Sequence, residues 1–273
     1  WHNDPDNSSQ STTRSFVECT ISLEPSNQEC LHFACKLRRM SRLHYGLLAL
    51  VVCACTEPSP PGADQTPAAA IAVPTLAEQL TAATQTCNPV PGTQLFKTDA
   101  GATKATVQLC QLDGAIWWRA DADIDCDGAP DSRCAHDPWR QPETSAKGSD
   151  AAFLNPAQVP FLVVPMASNG FVPKTHAIKT GWSGYGSAGV VLYNGRMVYA
   201  PYGDAGPRGI IGELSYAAAV ALGIDPDPVR GGVAEGVTYI VFTGSEAHVR
   251  PVEDPNAAQE VGERLARMLV ARP

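Results

Sequence analysis

The chain has 273 residues, 44% of them hydrophobic, with 28 Asp and Glu against 20 Lys and Arg for a formal net charge of −8. The acidic excess lies wholly after Cys55, where 15 basic residues face 23 acidic ones, and no basic stripe is present to meet phosphates, so a nucleic-acid partner is excluded. A cationic ligand suits this charge, because an acidic surface attracts it over long range.

In chain order, residues 1–39 carry no apolar periodicity and scatter cysteines at 19, 30 and 35; they are expected to be an upstream, non-native extension. Met40-Ser-Arg-Leu-His gives a short basic start, Tyr45 to Val52 an apolar run, and Val52-Cys-Ala-Cys55 a set of small residues, which together read as a signal peptide over 40–55. The run is too short to remain as a membrane-spanning helix. Its last four residues look like a bacterial lipobox, so Cys55 is expected to be lipidated and the protein to be exported and membrane-anchored at the cell surface. An ordinary signal peptide cut nearby is the alternative. Residues 56–75, rich in Pro and Ala, read as a linker. Residues 76–273 then form one globular domain, long enough for a substantial core.

Within that domain, Leu76–Thr84 has helical spacing. Thr106–Cys110 and Ala115–Ala120 read as strands joined by a turn at Asp113-Gly114, and Phe161–Pro165 as a buried strand. Gly189–Tyr193 and Arg196–Ala200 flank Asn194-Gly195, a dipeptide that favours the positive φ values of a two-residue type I′ turn. Glu213–Leu222 is Ala-rich and stops before Gly223, so it reads as a helix. Val237–Phe242 is a late strand, and 256–271 a helix capped by Asn256 with arginines toward its end. The fold class is mainly β with helical additions. Outside the leader the cysteines are Cys87, Cys110, Cys126 and Cys134. In an exported domain these suggest two disulfides, Cys126–Cys134 closing an acidic loop and Cys87–Cys110 as the other, with three pairings formally open. No pair has the two-residue spacing of a zinc knuckle.

Two segments carry chemistry. The first, Tyr202-Gly-Asp-Ala-Gly-Pro-Arg-Gly-Ile-Ile-Gly-Glu-Leu-Ser215, sets Asp204 and Glu213 among glycines that leave room for a ligand near the backbone. A carboxylate pair in such a setting is what glycoside hydrolysis requires: an acid for the leaving oxygen and a base or nucleophile for the anomeric carbon. The second, Asp121-Ala-Asp-Ile-Asp-Cys-Asp-Gly128, places Asp121, Asp123, Asp125 and Asp127 on one face if it is a strand, where they would bind ammonium groups. A disulfide-closed turn whose acids cap amides is the bland alternative. Asp123, Asp125, Asp127 and Gly128 also match half of an EF-hand loop, but the twelfth position is Cys134 where a Glu is needed. Trp117, Trp118, Trp139, Trp182, Tyr185 and Tyr202 are candidate sugar platforms, Tyr202 foremost because it adjoins Asp204.

Asp123 to Gly128 with Cys134, followed by Gly203 to Pro207 and Ile211 to Ser215, resemble the two motifs of the fungal-type chitosanases, glycoside hydrolase family 75. The likeness runs over about Thr93 to Ile240; the stretch His136-Asp-Pro-Trp-Arg-Gln-Pro departs from the Thr-rich run of that family. The resemblance implies a six-stranded double-psi β-barrel and an endo-acting, inverting hydrolase of β-1,4 links between glucosamine units. It also implies Asp204 and Glu213 as the essential pair, no cofactor or metal, and chitosan as partner of a monomeric enzyme. A helix N-terminus at Glu213 would lower its pKa and favour it as base. The reach of the longer side chain favours it as acid, and the assignment taken is Asp204 as base and Glu213 as acid. A non-catalytic, expansin-like polysaccharide-binding barrel and a glycosidase of cell-wall glycan are the competing readings.

Overall fold

The computed structural model describes residues 17–22, 32–37 and 74–272. The chain divides into two compact units, Trp1–Ala68 and Ala69–Pro273. In the first, β1 (Val17–Ser22) pairs antiparallel with β2 (His32–Leu37), Cys19 opposite Cys35. Both strands lie within the stretch read as an upstream extension, and they correct only the expectation that it carries no apolar periodicity. Val17, Cys19 and Ile21, and Phe33, Cys35 and Leu37, alternate with polar or small residues at the period of two that suits a strand. The signal-peptide and linker expectations for 40–55 and 56–73, and lipidation of Cys55, lie outside the described residues.

The second unit runs α1 (Leu76–Ala83), β3 (Cys110–Leu112), β4 (Ala115–Asp125), β5 (Leu162–Pro165), β6 (Thr180–Gly181), β7 (Tyr185–Ser187), β8 (Gly189–Tyr193) and β9 (Arg196–Tyr199). It continues through β10 (Tyr202–Gly206), β11 (Glu213–Ser215), α2 (Tyr216–Leu222), β12 (Val233–Phe242), β13 (His248–Val249) and α3 (Pro255–Val270). The protein is thus mainly β with helical additions. The main sheet is ordered β10-β5-β11-β4-β12-β8-β9, with β3 also on β4, and β13-β7-β6 form a small second sheet. Pairs β10/β5 and β11/β4 are parallel, the rest of the main sheet antiparallel. The path is open: no ladder joins β9 to β10 among the described residues.

The long β4 organises the core. Trp117 and Trp118 point to opposite faces, as successive strand residues must. Trp117 packs with Leu80 of α1, Val190, Ile240 and Phe242, and with Ala258, Ala266 and Leu269 of α3. Trp118 joins Leu109, Leu162, Leu214 and the Ala218, Ala219 and Leu222 face of α2, and stacks on Tyr239 at 5.3 Å. Each such large apolar side chain contributes about 1.5–3 kcal/mol on burial. The strand extends five residues beyond the expected end at Ala120 because Ala122 and Ile124 go on supplying the core face.

Helix ends follow local chemistry. Thr75 and Glu78 form a reciprocal capping box at α1. Asp254, rather than Asn256, caps α3, accepting from the Asn256 amide, with Pro255 in the first turn. The helix expected from Glu213 starts only at Tyr216: Ser215 is its cap, and Glu213–Ser215 is drawn into the sheet by pairing with Asp123–Asp125. The Asn194-Gly195 turn has φ of 46° and 75°, as a type I′ hairpin requires. Disulfides join Cys87 to Cys110 and Cys126 to Cys134.

Candidate active site

Strands β10, β5, β11 and β4 lie side by side, and their register sets the site. Tyr202, Leu162, Leu214 and Ile124 make one row across the four strands, all turned into the core. One residue along on β5, β11 and β4, and two along on β10, whose register shifts between Tyr202 and Asp204, the side chains point the other way. There Asp204 pairs with Val163 and Glu213 with Asp123. Asp204 and Glu213 thus share a face, separated by the single strand β5. Two strand spacings put their backbones roughly 10 Å apart. Both lie within strands, which corrects the expected places of Asp204 past a strand end and of Glu213 at a helix start.

Glu213 leans back across β5. Its Oε2 lies where a Cβ on Gly206 would be, only 2.6 Å from that position, with Val163 Cγ1 at 2.9 Å. Gly206 is two residues after Asp204 and faces the same side, so the bare backbone there lets the Glu213 carboxyl approach Asp204. Burial pushes the Glu213 carboxyl up to about 7, and the charges of Asp123, Asp204 and Asp127 push the same way. Among the described residues no hydrogen bond offsets these effects.

Asp204 is held differently. Its Oδ1 accepts from Ser145 N at 2.8 Å, Ser145 Oγ at 2.9 Å and its own neighbour Ala205 N at 2.7 Å. It is buried, 7% exposed, which raises its pKa, while the hydrogen bonds from Ser145 and Ala205 pull it back toward the charged form.

The acidic segment brings four more carboxylates beside this pair. Asp121, Asp123 and Asp125 alternate along β4 with buried Ala122 and Ile124, as expected of a strand. They do not make one exposed face, however. Asp121 is only 5% exposed and its Oδ1 has no hydrogen-bond partner among the described residues, because it packs onto Gly212, whose φ of +123° brings the backbone within contact. Burial, then the charges of Asp123 and Asp99, hold its carboxyl up at about 8. Asp123 is open to solvent, with its pKa raised by partial burial and by Asp99. Asp125 is held well above the usual range by burial and by Asp204 and Asp127. Asp127 is raised by burial to about 6, with the Gln141 amide pulling against it.

Oxygens of Asp125, Asp127 and Asp204 lie within 4.8 Å of one another, as do those of Asp99, Asp121 and Asp123. In the first group each carboxylate already accepts a backbone amide: Asp127 N on Asp125, Gln141 N on Asp127, and Ser145 N on Asp204. The EF-hand match fails outright, since Cys134 is bonded to Cys126. The amide-capping reading of this loop is therefore correct for Asp125 and Asp127, alongside whatever else they bind.

Among the aromatic candidates, Trp117 and Trp118 are core residues. Tyr202 is also buried, 6% exposed, with burial and Asp204 pushing its hydroxyl up to about 12. It has no open ring face to offer a sugar in the groove, because as the first residue of β10 it falls in the core row. The rings open to solvent are Trp139, 72% exposed, and Trp182, 67% exposed. Lys147 lies over the Trp182 ring at 4.3 Å. Trp139 is two residues from Gln141, whose amide bonds Asp127.

Two residues of this site have no mark in the sequence. Asp99 arrives through the loop after Lys97, which bridges to Ile210, and Ser145 through a segment 59 residues before Asp204. Nothing at fixed spacing from either motif points to them.

Residues 122–269 match the family model for the fungal chitosanase of glycosyl hydrolase group 75. The chain is 31% identical over 188 residues to an endo-chitosanase C of Aspergillus oryzae, a match covering 66% of this chain and 45% of that protein. A second endo-chitosanase C from the same species is 32% identical over 191 residues, with the same coverage. The chain therefore spans just under half the length of the curated relatives it matches.

Proposed function

The chain belongs to the fungal chitosanases of glycosyl hydrolase group 75, and on that premise we propose that it is an endo-acting chitosanase. It cleaves β-1,4 links between glucosamine units with inversion, using Glu213 as general acid and Asp204 as general base. One observation carries the reading: Asp204 and Glu213 share one face of the sheet from strands separated by one intervening strand. Backbones two strand spacings apart are compatible with the roughly 6.5–9.5 Å between carboxyls that an inverting pair uses to admit a water.

The roles follow from the surroundings. A general acid must carry its proton near working pH, and a carboxyl at about 7 with no hydrogen-bond donor does so. With Glu213 on a strand, the helix-terminus argument for its ionisation lapses. Asp204, met by donors on one oxygen, is the better anion. In the reaction, the Glu213 proton passes to the glycosidic oxygen as the bond from that oxygen to C1 breaks. Water bonds to C1 from the opposite side and gives its proton to Asp204. Asp123, Asp125 and Asp127, with Asp99, are read as partners for glucosamine ammonium groups, Asp121 is too buried to meet one, and Trp139 supplies an exposed ring for stacking. The open sheet is read as part of a six-stranded double-psi barrel, a reading supported by its two parallel pairs. Export and acylation at Cys55 complete the proposal, to be checked by intact mass of protein from the native host.

The test is reducing-end release from chitosans of low and high acetylation. The wild type is expected to act on low-acetyl chitosan, and Glu213→Gln and Asp204→Asn to lose about 10²–10⁴-fold. On a substrate whose leaving group needs no protonation, Glu213→Gln should recover and Asp204→Asn should not; recovery of Asp204→Asn in place of Glu213→Gln would reverse the assignment. Polymer binding without hydrolysis by the wild type would favour the non-catalytic module.

A further inference from the structure

We propose that Ser145 is a positioning residue for Asp204, fixing which of its two oxygens takes the proton of the attacking water; this rests on the role of Asp204 proposed above. The hydroxyl has no freedom to do otherwise. Ser145 Oγ accepts from the Ala205 amide at 3.1 Å, so its own hydrogen is left to point at Asp204 Oδ1, 2.9 Å away. The Ser145 and Ala205 amides, at 2.8 and 2.7 Å, point at the same oxygen. Two of these three donors are amides, which cannot accept, and the single Ala205 N–H is shared between Ser145 Oγ and Asp204 Oδ1. A proton on Oδ1 would face both amide hydrogens and would have to turn the hydroxyl away. Oδ1 is therefore the acceptor oxygen and Oδ2 the one favoured to take the proton.

The segment bearing Ser145 is built to hold this geometry. Ala146 N donates to Gly203 O at 2.8 Å, which stitches the segment onto β10 one residue before Asp204. Thr144, 3% exposed, donates from Oγ1 to Ala146 O at 2.7 Å and accepts there from Leu154 N at 3.0 Å. Ala146 is fully buried beside Phe161 and Val163. Ser145 is thus clamped on both sides while its hydroxyl and amide meet the carboxylate. The consequence for the reaction is a carboxylate already oriented and already desolvated before substrate arrives, its Oδ2 left for the water; Asp125 and Asp127, whose carboxyls lie beside it, are the titratable groups that face it and are untouched in the Ser145 variants.

The experiment compares Ser145→Ala with Ser145→Thr, which keeps the hydroxyl, in the full chain. The acidic limb of the kcat/KM profile on chitosan is expected to move up by about one pH unit in Ser145→Ala, since a donor to the charged form is lost. The limb should stay in place in Ser145→Thr, and the basic limb, set by Glu213, should stay in place in both. The loss should fall on kcat with KM little changed. A uniform loss at every pH with no movement of the acidic limb would make Ser145 merely structural and overturn the proposal. A second readout does not need activity: carbon-13 titration of the Asp204 carboxyl, assigned by its disappearance in Asp204→Asn. Its midpoint should rise in Ser145→Ala and hold in Ser145→Thr; no rise overturns the proposal. A wild type inactive on chitosan would sink the functional reading while this titration still decides the role of Ser145.

Discussion

At Gly206 the absence of a side chain is what allows the carboxylate pair to assemble. The residue has no need of glycine for its backbone angle. It needs it because a Cβ would stand 2.6 Å from Glu213 Oε2 and 2.9 Å from Val163 Cγ1. Gly206→Ala must displace the Glu213 carboxyl, since Val163 is fixed in a packed cluster under the strand. A displacement near 1 Å at the reacting group costs about 10²-fold in rate. Gly206→Ala is therefore expected to lower kcat on chitosan by about that factor while circular dichroism stays like wild type. Wild-type kcat in this variant would mean that Glu213 does not occupy this position during catalysis. Asp204 and Glu213 were legible from chemistry alone, as a carboxylate pair among glycines. The particular glycine that matters was not, because its partner is brought to it across β5 and not along the chain.

At the scale of elements, what the sequence shows is what is decided locally. The Asn194-Gly195 hairpin and the capped helices need only neighbours in the chain, and they are found where propensity puts them, within a residue or two. Glu213–Ser215 goes the other way. Its Ala-rich continuation favours helix, but two flanking strands claim the first three residues, and tertiary pairing overrides propensity. Tyr202 lies in the core for a related reason: an irregularity in the β10 register between Tyr202 and Asp204 turns the two residues to opposite sides, and nothing in the sequence marks it. The Cys126–Cys134 bond, read from an even cysteine count, has a clear element-level role. It closes eight residues directly after β4 and so fixes the chain that carries Asp127. A loop of that length is expected to contribute about 2–3 kcal/mol. Cys134→Ala should lower the urea unfolding free energy by that amount and weaken chitosan binding; an unchanged unfolding midpoint would show that the loop is held by its hydrogen bonds alone.

Over the whole molecule, the groove concentrates acids that water would keep ionised, and this sets how stability depends on pH. Native Asp127, Glu213 and Asp121 hold their protons to about 6, 7 and 8, against unfolded values of 3.8, 4.5 and 3.8. Between about pH 4 and pH 8 the folded chain thus binds more protons than the unfolded one, so stability must fall as pH rises. The acids with lowered pKa, Glu78, Asp131, Asp227 and Glu263, act in the opposite sense, but their effect is confined to pH below their unfolded values and is screened at the surface, while His248, lowered by burial, opposes the trend as a single group below the usual histidine value. The melting temperature is therefore expected to be highest near pH 5 and to decline toward pH 8. Asp121→Asn, which removes the buried charge with no partner at Oδ1, should flatten the upper part of that decline, between roughly pH 6 and 8, and raise the melting temperature at pH 8. A melting temperature that climbs from pH 5 to pH 8 would contradict the whole assignment of buried acids. The direction suits the proposed substrate. Glucosamine polymers carry their ammonium charge in mild acid, and there Glu213 keeps its proton, while the donors from Ser145 and Ala205 oppose the rise that burial gives Asp204. The same burial that makes these acids costly to ionise thus places the best stability at a pH where the proposed general acid is protonated.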